Sequence, residues 1–217
     1  MNPLDTLNNV EWYFKKVPLN SPNASICLLG DSMFKYTDVG NPPSDLESWN
    51  SLLGGTNVTN LGLTGARIRN LWDFGSPTYL QQALDLNPDI IYVSIGANNR
   101  PDADSVIRDE YITLGQSLEA SGIPFVFSVI YPCTYGYTET FNNGFNTRSN
   151  TIAEILIEVC EEYGWDYVDM RKQLIYKRPQ DGLWYIREDY SIDGIHLNNK
   201  GYTEWCKAFT RDINERI

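Results

Sequence analysis

The chain has 217 residues, of which 42% are hydrophobic and 13% aromatic, and this composition predicts one globular domain over 1–217 rather than a disordered polypeptide. The formal net charge is −11 and no cluster of basic residues offsets it, so the field of the protein repels polyanions and excludes nucleic acid and anionic membranes as main partners. A small neutral substrate, or one that is recognised locally, fits this charge better.

The N-terminal segment carries no targeting pattern. Charged residues interrupt the first thirty positions, and no stretch of the chain is as long and apolar as a membrane span. With Met1 as the native start, we expect a cytoplasmic protein. Residues 1–22 are expected to form a short amphipathic helix, an N-terminal extension that packs on the domain.

Apolar strand-like runs alternate with helical patterns along most of the chain, which is typical of a parallel α/β sheet. We predict a three-layer αβα sandwich around a flavodoxin-like five-stranded parallel sheet with strand order 2-1-3-4-5. In this order the winding reverses between the first and third strands, and ligands bind there, outside the carboxyl ends of the strands. The predicted strands are 24–29, 57–61, 89–95, 124–130 and a short one near 166–169.

Helical periodicity predicts three helices. The first covers 103–121, and the second carries an apolar stripe from Ile152 to Tyr163. The third begins after Asn198, its predicted N-cap, and is expected to bury Tyr202, Trp205, Cys206, Phe209 and Ile213. The four cysteines show no Cys-x-x-Cys spacing, so we expect buried free thiols rather than a zinc site or a redox pair.

Polar motifs follow the predicted strands. Since the carboxyl ends of parallel strands meet at one edge of a sheet, four separate segments are expected to bring their polar groups together there. In chain order they are Gly30-Asp31-Ser32, Asn60-Leu61-Gly62, Gly96-Ala97-Asn98-Asn99 and Asp193-Gly194-Ile195-His196.

The residue types in these segments suit acyl transfer. A serine hydroxyl such as that of Ser32 is a weak nucleophile that needs a base, and His196 is the only histidine of the chain. Asp193, three residues earlier, can bind the other ring nitrogen and fix the tautomer. The backbone N–H groups of Ser32 and Gly62 and the side-chain amide of Asn98 are candidate donors to the oxyanion of a tetrahedral intermediate.

At this point the sequence resembles the SGNH hydrolases, also called the GDSL esterase/lipase family, because the four family blocks occur in order between residues 30 and 196. The resemblance implies a serine esterase that needs no metal or other cofactor and acts through an acyl-Ser32 intermediate. It also implies a small-acyl substrate, such as an acetyl ester of a carbohydrate.

The chain departs from the family pattern at two positions. Met33 stands where leucine is usual, which is expected to affect packing alone, and Asn99 stands where the family usually has aspartate, so the chain has no carboxylate at that position. Asp31 is expected to hold the loop around Ser32 rather than to act as a catalytic acid.

Four residues are candidates for contact with the substrate. Arg67 and Arg100 follow the second and third blocks and could reach a carboxylate or phosphate, although solvated arginines at helix starts are the simpler interpretation. Tyr131 and Tyr135 begin an aromatic yet polar segment over 131–145. This segment suits a sugar, and a loop that packs its own aromatic rings is an equal alternative.

Three other functions compete with the esterase. An acyltransferase would use the same acyl-enzyme and an alcohol in place of water. A non-catalytic carbohydrate-binding module would leave the aligned serine, histidine and aspartate without a purpose. A metal-dependent phosphoesterase would use Asp31, Asp38 and Asp193, but it would leave Ser32 and Asn98 unexplained.

Overall fold

One parallel sheet of five strands organises the fold, and its order is β2-β1-β3-β4-β5, as predicted. A computed structural model describes residues 21, 23–34, 53, 57–129, 132–137, 144–169 and 171–216. The predicted extension over 1–22 therefore lies outside the described residues, apart from Ser21. The strands are β1 Ser25–Gly30, β2 Asn57–Gly62, β3 Ile90–Ser94, β4 Phe125–Ser128 and β5 Tyr167–Val168.

The register of the first three strands brings the candidate motifs level with one another. Gly30 at the end of β1 pairs with Gly62 of β2 on one side and with Ser94 of β3 on the other. A Cβ atom at position 30 would lie 2.0 Å from the carbonyl oxygen of Ser94, so only glycine allows this close approach. The first three motifs thus leave the sheet side by side.

Residues of β1 alternate between two apolar cores, one on each face of the sheet. Ile26 and Leu28 pack in one core, and Cys27 and Leu29 pack in the other. Helices cover both faces, so the described residues form the predicted three layers. The helices are α1 Asn70–Asp73, α2 Tyr79–Asp85, α3 Asp104–Ser121, α4 Phe145–Tyr163, α5 Arg171–Leu174 and α6 Asn199–Arg216, with a 3₁₀ turn at Glu188–Tyr190.

The last helix matches its sequence pattern. All five residues of its predicted stripe are buried, and Asn198 accepts a hydrogen bond from the N–H of Gly201 at 3.0 Å, the contact expected of an N-cap. In α4, by contrast, the prediction was wrong for Tyr163, which is exposed and stacks on Trp165. The four cysteines all lie in the described part of the chain, where they are buried and form no disulfide bond.

The sequence analysis missed α1, α2, α5 and an antiparallel hairpin. The hairpin consists of β6 Ile175–Lys177 and β7 Trp184–Ile186. The N–H of Ile186 donates to the carbonyl of Cys133, so the hairpin is attached to the segment that follows β4. Within the described part of the chain, no helix combines the length and apolarity needed to cross a bilayer.

Candidate active site

The Gly30-Asp31-Ser32 motif forms a tight turn at the end of β1. The N–H of Phe34 donates to the carbonyl of Asp31 at 3.2 Å, and the N–H of Met33 donates to Oδ1 of Asp31 at 2.9 Å. The buried hydroxyl of Tyr202 on α6 donates to the carbonyl of Met33 at 2.9 Å. Because three hydrogen bonds define this backbone, the position of Ser32 is fixed relative to both the sheet and α6.

Hydrogen bonds between the Ser191 side chain and the backbone fix the shape of the loop before α6. The hydroxyl of Ser191 donates to the carbonyl of His196 at 2.9 Å and accepts from the N–H of Gly194 at 2.8 Å. Gly194 has a positive φ of 92°, and a Cβ atom there would lie 2.7 Å from Cβ of Tyr137, so a side chain is excluded on both grounds. The loop therefore presents Asp193 and His196 in one arrangement.

Ser32, His196 and Asp193 form a continuous hydrogen-bonded chain. The Oγ of Ser32 is 3.2 Å from Nε2 of His196, and Nδ1 of His196 is 2.7 Å from Oδ2 of Asp193. The other carboxylate oxygen of Asp193 accepts the N–H groups of Ile195 at 2.9 Å and His196 at 2.7 Å. These three residues thus come together as the sequence predicted, although 164 positions separate the serine from the histidine.

The electrostatics of Asp193 suit a partner for imidazole. Burial opposes its ionisation, but the hydrogen bonds from the ring of His196 and from two backbone N–H groups outweigh burial and lower its pKa to about 2. Asp193 is therefore a carboxylate at neutral pH. It can hold the Nδ1–H tautomer of His196, which leaves Nε2 to accept the proton of Ser32.

The three predicted oxyanion donors differ in what they already bind. Among the described residues, the backbone N–H of Ser32 has no acceptor. The side-chain amide of Asn98 donates one hydrogen to the carbonyl of Ala66 at 3.0 Å and keeps a second. The N–H of Gly62 donates to Oδ1 of Asn60 at 2.9 Å, so it binds an oxyanion only by sharing or exchanging this acceptor.

Sequence reasoning missed the role of Asn60 in this arrangement. In addition to accepting from Gly62, its side chain donates to the carbonyl of Phe34 at 2.7 Å. Asn60 therefore ties the turn that carries Ser32 to the end of β2, where Gly62 lies. The available signal was an asparagine two residues before a glycine at a strand end, a common pattern for a side chain that bonds nearby backbone.

Asn99 is fully buried and binds three partners. Its Oδ1 accepts from the N–H of Ile68 at 2.9 Å, and its Nδ2 donates to Asp102 at 3.0 Å and to Glu110 at 2.8 Å. Because a backbone N–H can only donate, the contact with Ile68 settles which amide atom is the oxygen. Two ion pairs complete this cluster, Arg67–Asp102 at 3.1 Å and Arg69–Glu110 at 2.8 Å.

Asp31 lies beside Ser32 in a different environment from Asp193. It is fully buried, and among the described residues its Oδ2 makes no hydrogen bond of normal length. Burial raises its pKa to about 7 against the opposing effects of the Met33 N–H and of nearby positive charge. Its Oδ1 accepts from the N–H of Met33 within the turn that carries Ser32, and its role in holding this turn stays a prediction.

Three of the four candidate substrate-binding residues lie in the described part of the chain, and each has its own environment. Arg67 is paired with Asp102, and the guanidinium carbon of Arg100 lies 3.4 Å from the centroid of the Phe145 ring. The hydroxyl of Tyr135 accepts from Arg178 at 2.9 Å, and its ring packs edge-on against Tyr185 of the hairpin. Tyr131, the fourth candidate, lies outside the described residues, as does Asp38 of the phosphoesterase alternative.

Within the described ranges, no group of three or more histidine, cysteine, aspartate or glutamate side chains is arranged to hold a metal ion. The chemistry that this edge of the sheet offers is a nucleophile, a base with its orienting carboxylate, and several N–H donors. Together they suit the attack of Ser32 on a carbonyl carbon.

Comparisons with known proteins agree with this geometry. The model of the GDSL-like lipase/acylhydrolase family matches residues 28–203. No curated protein matches the chain.

Several solved structures share the fold at low sequence identity. A GDSL-like lipase from Bacteroides thetaiotaomicron aligns with a TM-score of 0.66 and 10% identity, over 99% of this chain and 98% of its own. A lipase/acylhydrolase from Enterococcus faecalis aligns with a TM-score of 0.61 and 17% identity, over 89% and 96%. A catalytic mutant of an acetylxylan esterase from Geobacillus stearothermophilus aligns with a TM-score of 0.60 and 17% identity, over 92% and 96%.

Proposed function

The chain belongs to the GDSL-like lipase/acylhydrolase family, and from this premise we propose that it is a serine esterase that cleaves carboxylic esters through an acyl-Ser32 intermediate. The observation that carries the proposal is the hydrogen-bonded chain from Ser32 Oγ through His196 to Asp193, with distances of 3.2 Å and 2.7 Å. A binding module has no need of such a chain, and a metal-dependent phosphoesterase would use neither the serine nor the histidine.

The reaction follows from these atoms. His196 Nε2 takes the proton of Ser32 as Oγ attacks the carbonyl carbon of the ester. The N–H of Ser32 and the amide of Asn98 donate to the oxyanion. The N–H of Gly62 is a third donor when it exchanges its acceptor, Oδ1 of Asn60, for the oxyanion. His196 then returns the proton to the departing alcohol. Water, activated by the same imidazole, cleaves the acyl-enzyme and releases the acid.

For the substrate, we propose a small acyl group, such as acetyl, on a carbohydrate. The support is the family resemblance of the sequence, together with one structural neighbour that is an acetylxylan esterase. An assay with acetylated sugars of different size, run with and without an added alcohol, separates hydrolysis from acyl transfer.

The test of the mechanism is Ser32→Ala, assayed with p-nitrophenyl acetate in the presence of EDTA. We expect kcat to fall by several orders of magnitude, on the order of 10⁶ at most, because the nucleophile is lost. Fluorophosphonate labelling should disappear in the same variant. Ser105→Ala, at an exposed serine of α3, is the matched control and should retain activity and labelling. Substantial activity in Ser32→Ala would refute the nucleophile assignment.

A further inference from the structure

Among the arginines that the structure shows at least partly buried, Arg100 differs in having no acidic partner within the described residues. Eight of the ten arginines form ion pairs, and Arg211 is exposed on α6. Arg100 is partly buried, and among the described residues its guanidinium makes neither an ion pair nor a hydrogen bond. The paired arginines are Arg67, Arg69, Arg108, Arg148, Arg171, Arg178, Arg187 and Arg216.

The surroundings of Arg100 do not compensate for its charge. Burial lowers the pKa of its guanidinium, which lies over the face of the Phe145 ring. Among the described residues, the carboxyl group that acts on it electrostatically is that of Asp31, whose pKa is itself raised to about 7 by burial. A partly buried cation without a counterion is unfavourable unless a ligand supplies the missing charge.

The position of Arg100 connects it to the candidate active site. It follows Asn98 by two residues on the same loop. The Phe145 ring beneath it packs edge-on against Tyr137, with centroids 5.4 Å apart, and Tyr137 in turn packs on Gly194, between Asp193 and His196. The guanidinium therefore belongs to a wall that runs from the oxyanion loop to the loop of the catalytic histidine.

We propose that Arg100 binds a carboxylate of the substrate, so that the preferred ester is an acylated acidic sugar rather than a neutral one. A guanidinium presents two parallel N–H donors that match the two oxygens of a carboxylate. The net charge of −11 disfavours long polyanions and dianions. Among anionic saccharides, a short one with a single carboxylate therefore meets the smallest repulsion. This inference rests on the proposed esterase function.

The experiment compares two esters that differ only at C6, acetylated glucuronic acid and acetylated glucose. We expect the wild-type protein to prefer the acidic ester by about tenfold or more in kcat/KM, mainly through KM. Arg100→Gln should bring the ratio of the two rates close to one, and Arg100→Lys should keep part of the preference, because it keeps the charge without the paired donors. Arg211→Gln, which removes the exposed unpaired arginine, is the matched control and should leave the ratio unchanged.

The outcomes separate the two proposals. Hydrolysis of both esters without preference, or a preference that survives in Arg100→Gln, would overturn the role of Arg100 and leave the esterase intact. Failure to cleave any ester would overturn the esterase and this inference with it. Acetylated glucose 6-phosphate and 6-sulfate form a further arm, and a faster reaction with either would overturn the choice of a carboxylate. Binding of glucuronate and glucose to Ser32→Ala, measured by calorimetry, tests the anion site without turnover.

Discussion

Replacing Asn99 by aspartate, the residue usual in the family, should destabilise the fold of this protein and lower its activity. The side-chain nitrogen of Asn99 lies 3.0 Å from a carboxylate oxygen of Asp102 and 2.8 Å from one of Glu110. In Asn99→Asp an oxygen replaces this nitrogen, so three carboxyl groups meet at a point that is closed to solvent. The arginines paired with Asp102 and Glu110 already bind other oxygens of these groups and do not reach the new contact.

The size of the effect follows from the two hydrogen bonds that the Asn99 amide donates. Each hydrogen bond to a charged group contributes about 1.5–3 kcal/mol, and protonation of the new carboxyl group restores at most one of the two. We therefore expect the free energy of unfolding to fall by about 3 kcal/mol at neutral pH. The folded-state pKa of the new carboxyl group is raised above its unfolded value of about 3.9, so the loss of stability is smallest below about pH 4 and grows as the pH rises.

The assay is urea unfolding of both proteins between pH 4 and pH 8, together with kcat on p-nitrophenyl acetate. Because Asn99 adjoins Asn98, we also expect a lower kcat, since small displacements of an oxyanion donor are costly. The double variant Asn99→Asp/Asp102→Asn restores one donor to the cluster and should recover part of the stability. Wild-type stability of the variant at neutral pH would refute this reasoning. A gain in activity would also refute it, and would show that the departure from the family pattern costs catalysis.

Four further changes test the remaining assignments. Asn98→Ala should lower kcat by about 10²–10³ with little change in KM, because an oxyanion donor acts on the transition state; steady-state kinetics decides this. Asp193→Asn should lower kcat by up to about 10⁴ through the wrong tautomer, and a much smaller loss would indicate a serine–histidine pair. His196→Ala should remove nearly all activity on p-nitrophenyl acetate, because the base that accepts the Ser32 proton is lost, and a near wild-type rate would contradict this role. Burial raises the pKa of Asp31 to about 7, so its ionised form destabilises the fold. Relative to the wild type, the free energy of unfolding of Asp31→Asn should therefore rise by roughly 1–3 kcal/mol between pH 4 and pH 7, measured by urea unfolding. A difference that stays constant across this range would contradict the raised pKa.

The sequence predicted the sheet because its signal is local. Each of the first three strands is a short run next to a glycine motif, and the parallel arrangement alone then places Ser32, Gly62 and Asn98 at one edge. The hairpin at 175–186 escaped detection because its strands have three residues each, too few for an alternating pattern to stand out.

The contacts that refine the site depend on pairs of residues far apart in the chain. Asn60 binds the carbonyl of Phe34, and Tyr202 binds the carbonyl of Met33 across 169 positions. No periodicity encodes such contacts, since the partner in each case is a backbone atom that every residue possesses. Arg67 and Arg100 likewise look equivalent in sequence. In the structure Asp102 pairs with Arg67, whereas Arg100 lies over the Phe145 ring.

The two aspartates beside the nucleophile show how environment divides roles between identical side chains. Asp193 is 44% exposed at its side chain, yet three hydrogen bonds to its oxygens hold its pKa near 2. Asp31 is fully buried, and its pKa is raised to about 7. Proximity to Ser32 thus does not select the residue that supports the base. Of these two aspartates, Asp193 is the one that is fully ionised at neutral pH, so in the proposed mechanism it is the carboxylate that stabilises the imidazolium formed when Ser32 attacks.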